Sequence, residues 1–510
     1  MYNSHMNLKK IIKENKNNLY LFLFLLIIYI LTRLIGIMSL PMFTDEAIYT
    51  RWAQIAHNDW DWIFISLTDG KQPLFIWADL LIMYFVTDPL LAGRLVSVIA
   101  GFISMLGLYF AGDEIFKNKK VGLTASALYV LFPFALVYDR MALYDSMVTL
   151  FFIWGLFFTV RLIRGLSLVN AALLGITAGL GALNKTSGFL TIYLLPLGLS
   201  LFDFAKKGWR EKVMKFFLYA ALAAGVMYTM YNALRVSPFF YIISQKNDTF
   251  IYPISEWLTH PFTYLLSNFN SVSNWTITYV SIPIFIIALS AFFVRRTFIK
   301  EKIYLLITFL ALLSIPIIFG RVIFPRYLFF MTIPVVLLTS YAVVEWSLRL
   351  KNRYLLGIAA IMIFLPWIHA DYKILTDFPR SPIPEADRNQ YANMWPSGGG
   401  YRELVSFVEE KSKKQKIFVA TEGTFGSLPT YTIEIYHGEN KNVEKKGFYP
   451  IPKDIPQELL EKAEDMPVYF VFNETQNPPE TTWPIHLIEK YQKGVGDHYM
   501  RLYEVIPSNE

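Results

Sequence analysis

Two acidic positions carry the first chemical signal. Phe43-Thr44-Asp45-Glu46-Ala47-Ile48-Tyr49-Thr50-Arg51-Trp52 follows the first long apolar run, and Asp145 opens a later one after Arg140-Met141-Ala142-Leu143-Tyr144. Both places also suit a plain helix start: Thr44 is a good N-cap, acids favour a first turn, and Phe43 and Ile48 stand where a hydrophobic staple would put them. The functional reading is a carboxylate held at a membrane surface as a general base. Cations stand nearby in the chain. Lys71 precedes Gln72-Pro73, Lys185 lies in Asn184-Lys185-Thr186-Ser187-Gly188, and Arg321 and Arg326 lie around Pro325. Arg140 has Asp139 and Asp145 as possible ion-pair partners. A single Lys or Arg near lipid commonly snorkels to the headgroups. Several beside acids suggest an anionic ligand, and phosphate suits both residue types. A base and cations at a lipid interface fit displacement on a lipid-linked phosphate ester. The base takes a proton from an acceptor hydroxyl, and the departing phosphate needs charge stabilisation but no general acid. A glycosidase would be expected to use two carboxyls instead.

These residues must be held by elements in a membrane. A spanning helix needs roughly 20 mainly apolar residues. Long apolar runs cover 19–37, 91–112, 121–138, 146–160, 168–183, 188–201, 216–234, 277–294, 303–319, 327–344 and 354–369, which predicts eleven spans. Lys9, Lys10, Lys13 and Lys16 precede the first run, which is too long for a signal peptide and lacks a small-residue cleavage site. The N-terminus is therefore expected in the cytoplasm. With eleven spans, alternate loops collect Lys117, Lys119 and Lys120, then Arg161 and Arg164, then Lys206 to Lys215, Arg295 to Lys302, and Arg349 to Arg353. That is the positive-inside bias. The shorter stretch 73–86 would reverse every later loop if it crossed, so it is expected to be a juxtamembrane helix on the outer face. Asp45, Asp145, Lys71, Lys185, Arg321 and Arg326 then all fall on the outer side. Trp52, Trp60, Trp62 and Trp77 fit an aromatic belt there.

Residues 1–370 form the expected membrane domain. Residues 371–400 read as a linker, with Pro379, Pro382, Pro384 and Gly398-Gly399-Gly400. Residues 401–510 have no spanning run and predict a small α/β domain outside the membrane: a helix over 401–411 and strands over 416–420, 468–472 and 498–505. The Gly423-Thr424-Phe425-Gly426 turn is too short for a phosphate loop. Hydrophobic residues make up 54% of the 510 and charged residues 17%, which excludes a disordered chain and argues against a fully soluble enzyme. The formal charge of +7 conceals two parts: 31 Lys and Arg against 18 Asp and Glu in residues 1–370, and 16 against 22 in residues 371–510. It marks cytoplasmic loops and gives no reason to expect nucleic-acid binding. Without Cys there is no disulfide, zinc-thiolate site or cysteine nucleophile.

Asp45-Glu46 after the first span, Lys71-Gln72-Pro73 before an aromatic juxtamembrane helix, and Arg140 with Leu143-Tyr144-Asp145 resemble the GT-C glycosyltransferases. The nearest likeness is to the protein O-mannosyltransferases and the lipid A aminoarabinose transferases. Gly179-Leu180-Gly181-Ala182-Leu183-Asn184-Lys185 and Pro325-Arg326-Tyr327-Leu328 extend the resemblance over residues 19 to about 370. It implies inverting transfer from a polyprenyl-monophosphate sugar to a protein, lipid or envelope-glycan hydroxyl at the plasma membrane. By matching position it implies Asp45 as base and Asp145 as the second acid, with Glu46 completing the candidate catalytic set. Lys71, Arg140, Lys185, Arg321 and Arg326 would hold the donor phosphate, and Tyr49 would line the site. The family's usual Lys-Pro-Pro is Lys71-Gln72-Pro73 here. Ile48 stands where the aminoarabinose transferases carry an arginine. No cofactor is implied. Asp45, Glu46 and Asp145 are the residues that would hold a divalent ion, as in the related oligosaccharyltransferases. The rival classes are a transporter or lipid flippase, expected to show repeats and midplane charges, and a membrane-anchored receptor built on the α/β domain.

Overall fold

The computed structural model describes residues 8–350, 352–423, 428–474 and 483–507. Residues 424–426 of the Gly-rich turn lie outside the described residues, as do the side chains of Lys9, Lys10, Lys13 and Lys16. Among the described residues, seven helices are long and apolar enough to cross a membrane: Asn18–Ser39, Pro89–Phe116, Asp145–Arg164, Trp209–Val236, Ile299–Phe319, Pro325–Arg349 and Tyr354–Thr376. An eighth candidate is the pair Leu265–Val280 and Ile282–Val294, bent by 87°. Every predicted run is helical, but eleven uninterrupted spans are not formed. Proline supplies most of the reason. Pro133 and Pro196 divide the 121–138 and 188–201 runs, and Pro283 follows the bend at Ser281, whose φ is 70°. Proline offers no N–H and disfavours helical backbone just before it. Leu168–Asn184 is unbroken but has only 17 residues. The 73–86 stretch forms the short helix Leu74–Met83, packed on the Thr44–Asn58 and Pro89–Phe116 helices.

The start of the Thr44–Asn58 helix departs from the expected cap. Phe43, not Thr44, is the N-cap residue. Its N–H donates to Glu46 Oε2 at 3.0 Å. The Thr44 hydroxyl is thereby free to reach the Pro396 carbonyl at 3.0 Å.

The C-terminal unit is a five-stranded sheet in the order β2-β1-β3-β5-β4. The strands are β1 (Ile417–Glu422), β2 (Val443–Phe448), β3 (Val468–Phe472), β4 (Ile485–Gln492) and β5 (Tyr499–Val505). β2, β1 and β3 run parallel, and β5 is antiparallel to both β3 and β4. β1 and β3 are buried along their whole length. The Tyr401–Lys414 and Leu428–His437 helices contribute Leu404, Val408 and Ile433 to one core, and the Gln457–Asp465 helix contributes Leu459 to the other. Continuous apolar sequence is what a strand covered on both faces requires. β2 and β4 lie at the edges and carry Lys445, Lys446, Glu489 and Lys490. Edge charge discourages pairing with other chains, and it also erases the apolar signal that reveals a strand.

The segment expected to be a linker is packed. Its first residues complete the Arg353–Thr376 helix. Asp387 is fully buried and accepts hydrogen bonds from Tyr138 at 2.6 Å and Tyr279 at 2.5 Å. Burial pushes its carboxyl up to about 7, against those hydrogen bonds. An unfolded aspartate titrates near 3.9. The folded state therefore binds the extra proton, so this contribution to stability is complete below about pH 4 and is lost as pH rises through about 7. Asp387→Asn cannot ionise. Between pH 5 and pH 8 the Tm of the native chain should fall relative to that of the variant. Parallel Tm curves over that window would refute the assignment.

Candidate active site

A cavity of about 450 Å³ opens between the membrane helices, within the range of small-molecule sites. Much of its wall is apolar, including Phe189, Leu190, Phe250, Ile315, Phe319 and Phe330. Its polar lining gathers Tyr49, Lys71, Asp145, Lys185, Lys246 and Arg326. Asp45 borders it through Arg326. That arginine's Nη1 donates to Asp45 Oδ2 at 2.8 Å, and Tyr49 donates to the same oxygen at 3.3 Å. The three come together from distant elements: Asp45 and Tyr49 from one face of the Thr44–Asn58 helix, a turn apart, and Arg326 from the start of Pro325–Arg349.

The lining cations differ in their partners. Arg326 pairs with Asp45, Lys185 with Asp145 at 2.9 Å, and Lys246 with Asp69 at 2.5 Å. Lys71 makes no ion pair among the described residues. Its Nζ donates to the Tyr49 hydroxyl at 2.9 Å and lies 5.2 Å from that ring's centre. Burial pulls the Lys71 ammonium below the usual lysine range, with Asp45 pulling the other way. Lys185 is lowered for the same first reason, with Asp145 opposing. Burial also resists ionisation of Asp45, but Arg326 and Lys71 outweigh it and hold the carboxyl at about 2. Asp45 is thus an anion across the ordinary pH range, and among the described residues Lys71 is the lining cation left without an acidic partner.

Three predicted site residues are not brought to this cavity. Glu46 is fully buried and lies outside the lining. It accepts from Arg94 Nε at 2.9 Å, Arg94 Nη2 at 2.8 Å, the Ala142 N–H at 2.7 Å and the Phe43 N–H. Arg140 is buried and donates to the Ile35 and Gly36 carbonyls at 3.0 and 2.9 Å. Arg321 pairs with Glu256 and donates to the Asp248 carbonyl at 3.0 Å, outside the lining. Lys246 is the lining cation that sequence reasoning passed over. It stands in a polar stretch between the 216–234 and 277–294 runs, on the side where cations break the charge bias, so the same rule would have reached it.

Among the described residues, no group of three or more His, Asp or Glu comes together to hold a metal ion. The acids expected for that task diverge: Asp45 to Arg326, Asp145 to Lys185 and Glu46 to Arg94.

Residues 70–234 match the model of a family described as dolichyl-phosphate-mannose-protein mannosyltransferase. Among solved structures, ArnT from Cupriavidus metallidurans in the apo state is 13% identical, with 96% of this chain and 98% of that chain covered and a TM-score of 0.58. The same protein bound to undecaprenyl phosphate is 12% identical, with 97% and 99% covered and a TM-score of 0.55. This chain has the GT-C glycosyltransferase fold. The oligosaccharyltransferase AglB from Archaeoglobus fulgidus, in complex with an inhibitory peptide and a dolichol-phosphate, shares it at 12% identity, with 90% and 70% covered and a TM-score of 0.51. No curated protein matches the sequence. The family match includes Lys71, Asp145 and Lys185, whereas Asp45, Tyr49, Lys246 and Arg326 lie outside it. The protein is a multi-pass membrane protein.

Proposed function

We propose that this protein is an inverting glycosyltransferase that moves a sugar from a polyprenyl-monophosphate donor to an acceptor hydroxyl on a protein, lipid or envelope glycan. The observation that carries the reading is Lys71: a half-buried cation without an acidic partner among the described residues, in a cavity where three other cations are each paired. Such a site favours an anion, and the apolar wall suits a lipid chain. The ArnT complex with undecaprenyl phosphate supports the same ligand class. In the reaction, Asp45 accepts the acceptor hydroxyl's proton as its oxygen bonds to the anomeric carbon. The bond from that carbon to the phosphate oxygen breaks, and the electron pair leaves on the phosphate. Lys71 stabilises the departing anion, with Lys185, Lys246 and Arg326 contributing field. Phosphate also competes with Asp45 for the Arg326 guanidinium, which makes Asp45 a stronger base only when donor is bound. These steps require no resident metal. The charge bias of the loops supports a cytoplasmic N-terminus, with the cavity and the α/β domain outside.

The test is product analysis. The purified full chain in lipid nanodiscs is given a panel of hexose- and pentose-bearing polyprenyl phosphates with candidate acceptors, and mass spectrometry follows released polyprenyl phosphate and glycosylated product. Covalent transfer from one donor is expected. Sugar crossing sealed vesicles with no covalent transfer would replace the enzyme with a flippase.

Lys71→Met should weaken binding of polyprenyl phosphate by about 10- to 100-fold, since a hydrogen bond to a charged group is worth about 1.5–3 kcal/mol. Arg321→Ala, outside the cavity, should change it by less than about twofold. Equal losses in the two variants, read by titration with the lipid phosphate, would remove Lys71 from the phosphate site.

A further inference from the structure

Lys493 follows β4, and its ammonium is buried completely. Three acceptors surround it: Asn473 Oδ1 at 2.5 Å, the Ser397 carbonyl at 2.7 Å and the Trp395 carbonyl at 3.0 Å. An ammonium has three donors, and all are used. Burying such a charge carries a penalty of several kcal/mol, so the arrangement calls for a task that a neutral side chain would not perform.

Two of the three acceptors belong to the segment that joins the membrane part to the α/β domain. The opposite edge of that segment is the origin of the Asp45 helix. Ser397 forms an antiparallel bridge with Phe43. The Thr44 N–H and hydroxyl donate to the Pro396 carbonyl at 3.1 and 3.0 Å. The Gly398 N–H donates to the Met42 carbonyl at 2.7 Å. A single turn of chain, residues 394–397, thus separates Lys493 from the residues immediately before Asp45. Asn473 reinforces it, its Nδ2 donating to the Trp395 carbonyl at 3.0 Å. Farther along the same helix, Arg51 pairs with Glu434 at 3.1 Å and Gln54 donates to the Ile435 carbonyl at 3.0 Å, so the α/β domain lies along it.

We propose that Lys493 is a positioning residue for Asp45: from the α/β domain it fixes the 395–397 segment against Phe43 and Thr44, and so sets where the Asp45 helix begins. The inference rests on the reading of Asp45 as the base. A shift of about 1 Å in a reacting group can lower a rate by about 10²-fold, so such a clamp matters to chemistry more than to substrate binding.

The test uses the full chain in nanodiscs, with transfer kinetics and amide hydrogen exchange measured on the same variants. Lys493→Met should lower kcat by at least about tenfold while the donor KM stays within about twofold, because Lys71 is untouched. Amides of 43–50 should exchange faster while β1 and β3 stay protected. An unchanged kcat, or unchanged exchange in 43–50, overturns the proposal. If β1 and β3 also lose protection, Asn473→Ala decides. It keeps the ammonium and its two bonds to the 395–397 segment but removes its Asn473 acceptor and the second donor to Trp395, so faster exchange in 43–50 with a smaller fall in kcat supports the clamp, and native exchange there overturns it. Failure of the underlying reading looks different: Asp45→Asn would transfer sugar at the native rate, whatever the exchange at 43–50 shows.

Discussion

Asp45→Asn is expected to lower kcat for sugar transfer by about 10²- to 10⁴-fold, the usual contribution of a general base. Asparagine keeps the size of the side chain and still offers an oxygen to Arg326, so the cavity should keep its shape. It cannot take the acceptor's proton. Binding of polyprenyl phosphate should persist at the native level or tighten, because Arg326 no longer has an anion competing for it at 2.8 Å. Loss of turnover with intact lipid binding is thus the expected signature, read by transfer kinetics beside a binding titration. The pH dependence carries a second signature. With the Asp45 carboxyl held at about 2 by Arg326 and Lys71 against burial, protonation of Asp45 in the free protein should not limit kcat/KM on the acid side until well below pH 4. Retention of the native rate in the variant would remove Asp45 from the chemistry.

The adjacent acid should behave in the opposite way. Glu46→Ala is expected to destabilise the protein by about 3–5 kcal/mol, the range for removing one member of a buried ion pair. The Arg94 guanidinium would remain fully buried, with its carbonyl contacts to Ile37, Leu40 and Pro41 but no anion. The N–H groups of Phe43 and Ala142 would lose their acceptor as well. A large fall in Tm, or failure to recover folded protein, is the expected outcome, while Asp45→Asn, which keeps an oxygen for Arg326, should lower Tm much less. A Glu46→Ala protein with native Tm and no turnover would instead place Glu46 in the chemistry.

That contrast shows what kind of information a sequence holds. Asp45 and Glu46 are neighbours of similar chemistry at a helix start, and local pattern treats them alike. Successive residues on a helix point about 100° apart. One therefore meets Arg326 and the other Arg94, and neither arginine is near in the chain. Arg140 and Arg321 were drawn into the expected site for the same reason that Lys71 and Lys185 were: each is a cation where the charge bias disfavours one. Backbone carbonyls of Ile35 and Gly36 claim the first, and Glu256 claims the second. The edge strands β2 and β4 went unread because their charges hide the apolar signal, while β1 and β3 were legible from their apolar runs.

By itself the sequence determined the helical membrane architecture, the separate α/β domain and the presence of acids and cations suited to a phosphate ester. Those properties follow from burial and charge, which are set by composition over short windows and add up along the chain. Only the tertiary structure decided which carboxylate meets the cavity, that Lys71 alone among the lining cations lacks an acidic partner among the described residues, and that Lys493 reaches the start of the Asp45 helix through residues 395–397. Ion pairing and side-chain direction depend on partners tens to hundreds of residues away, and the fold selects those partners once the apolar surfaces are buried.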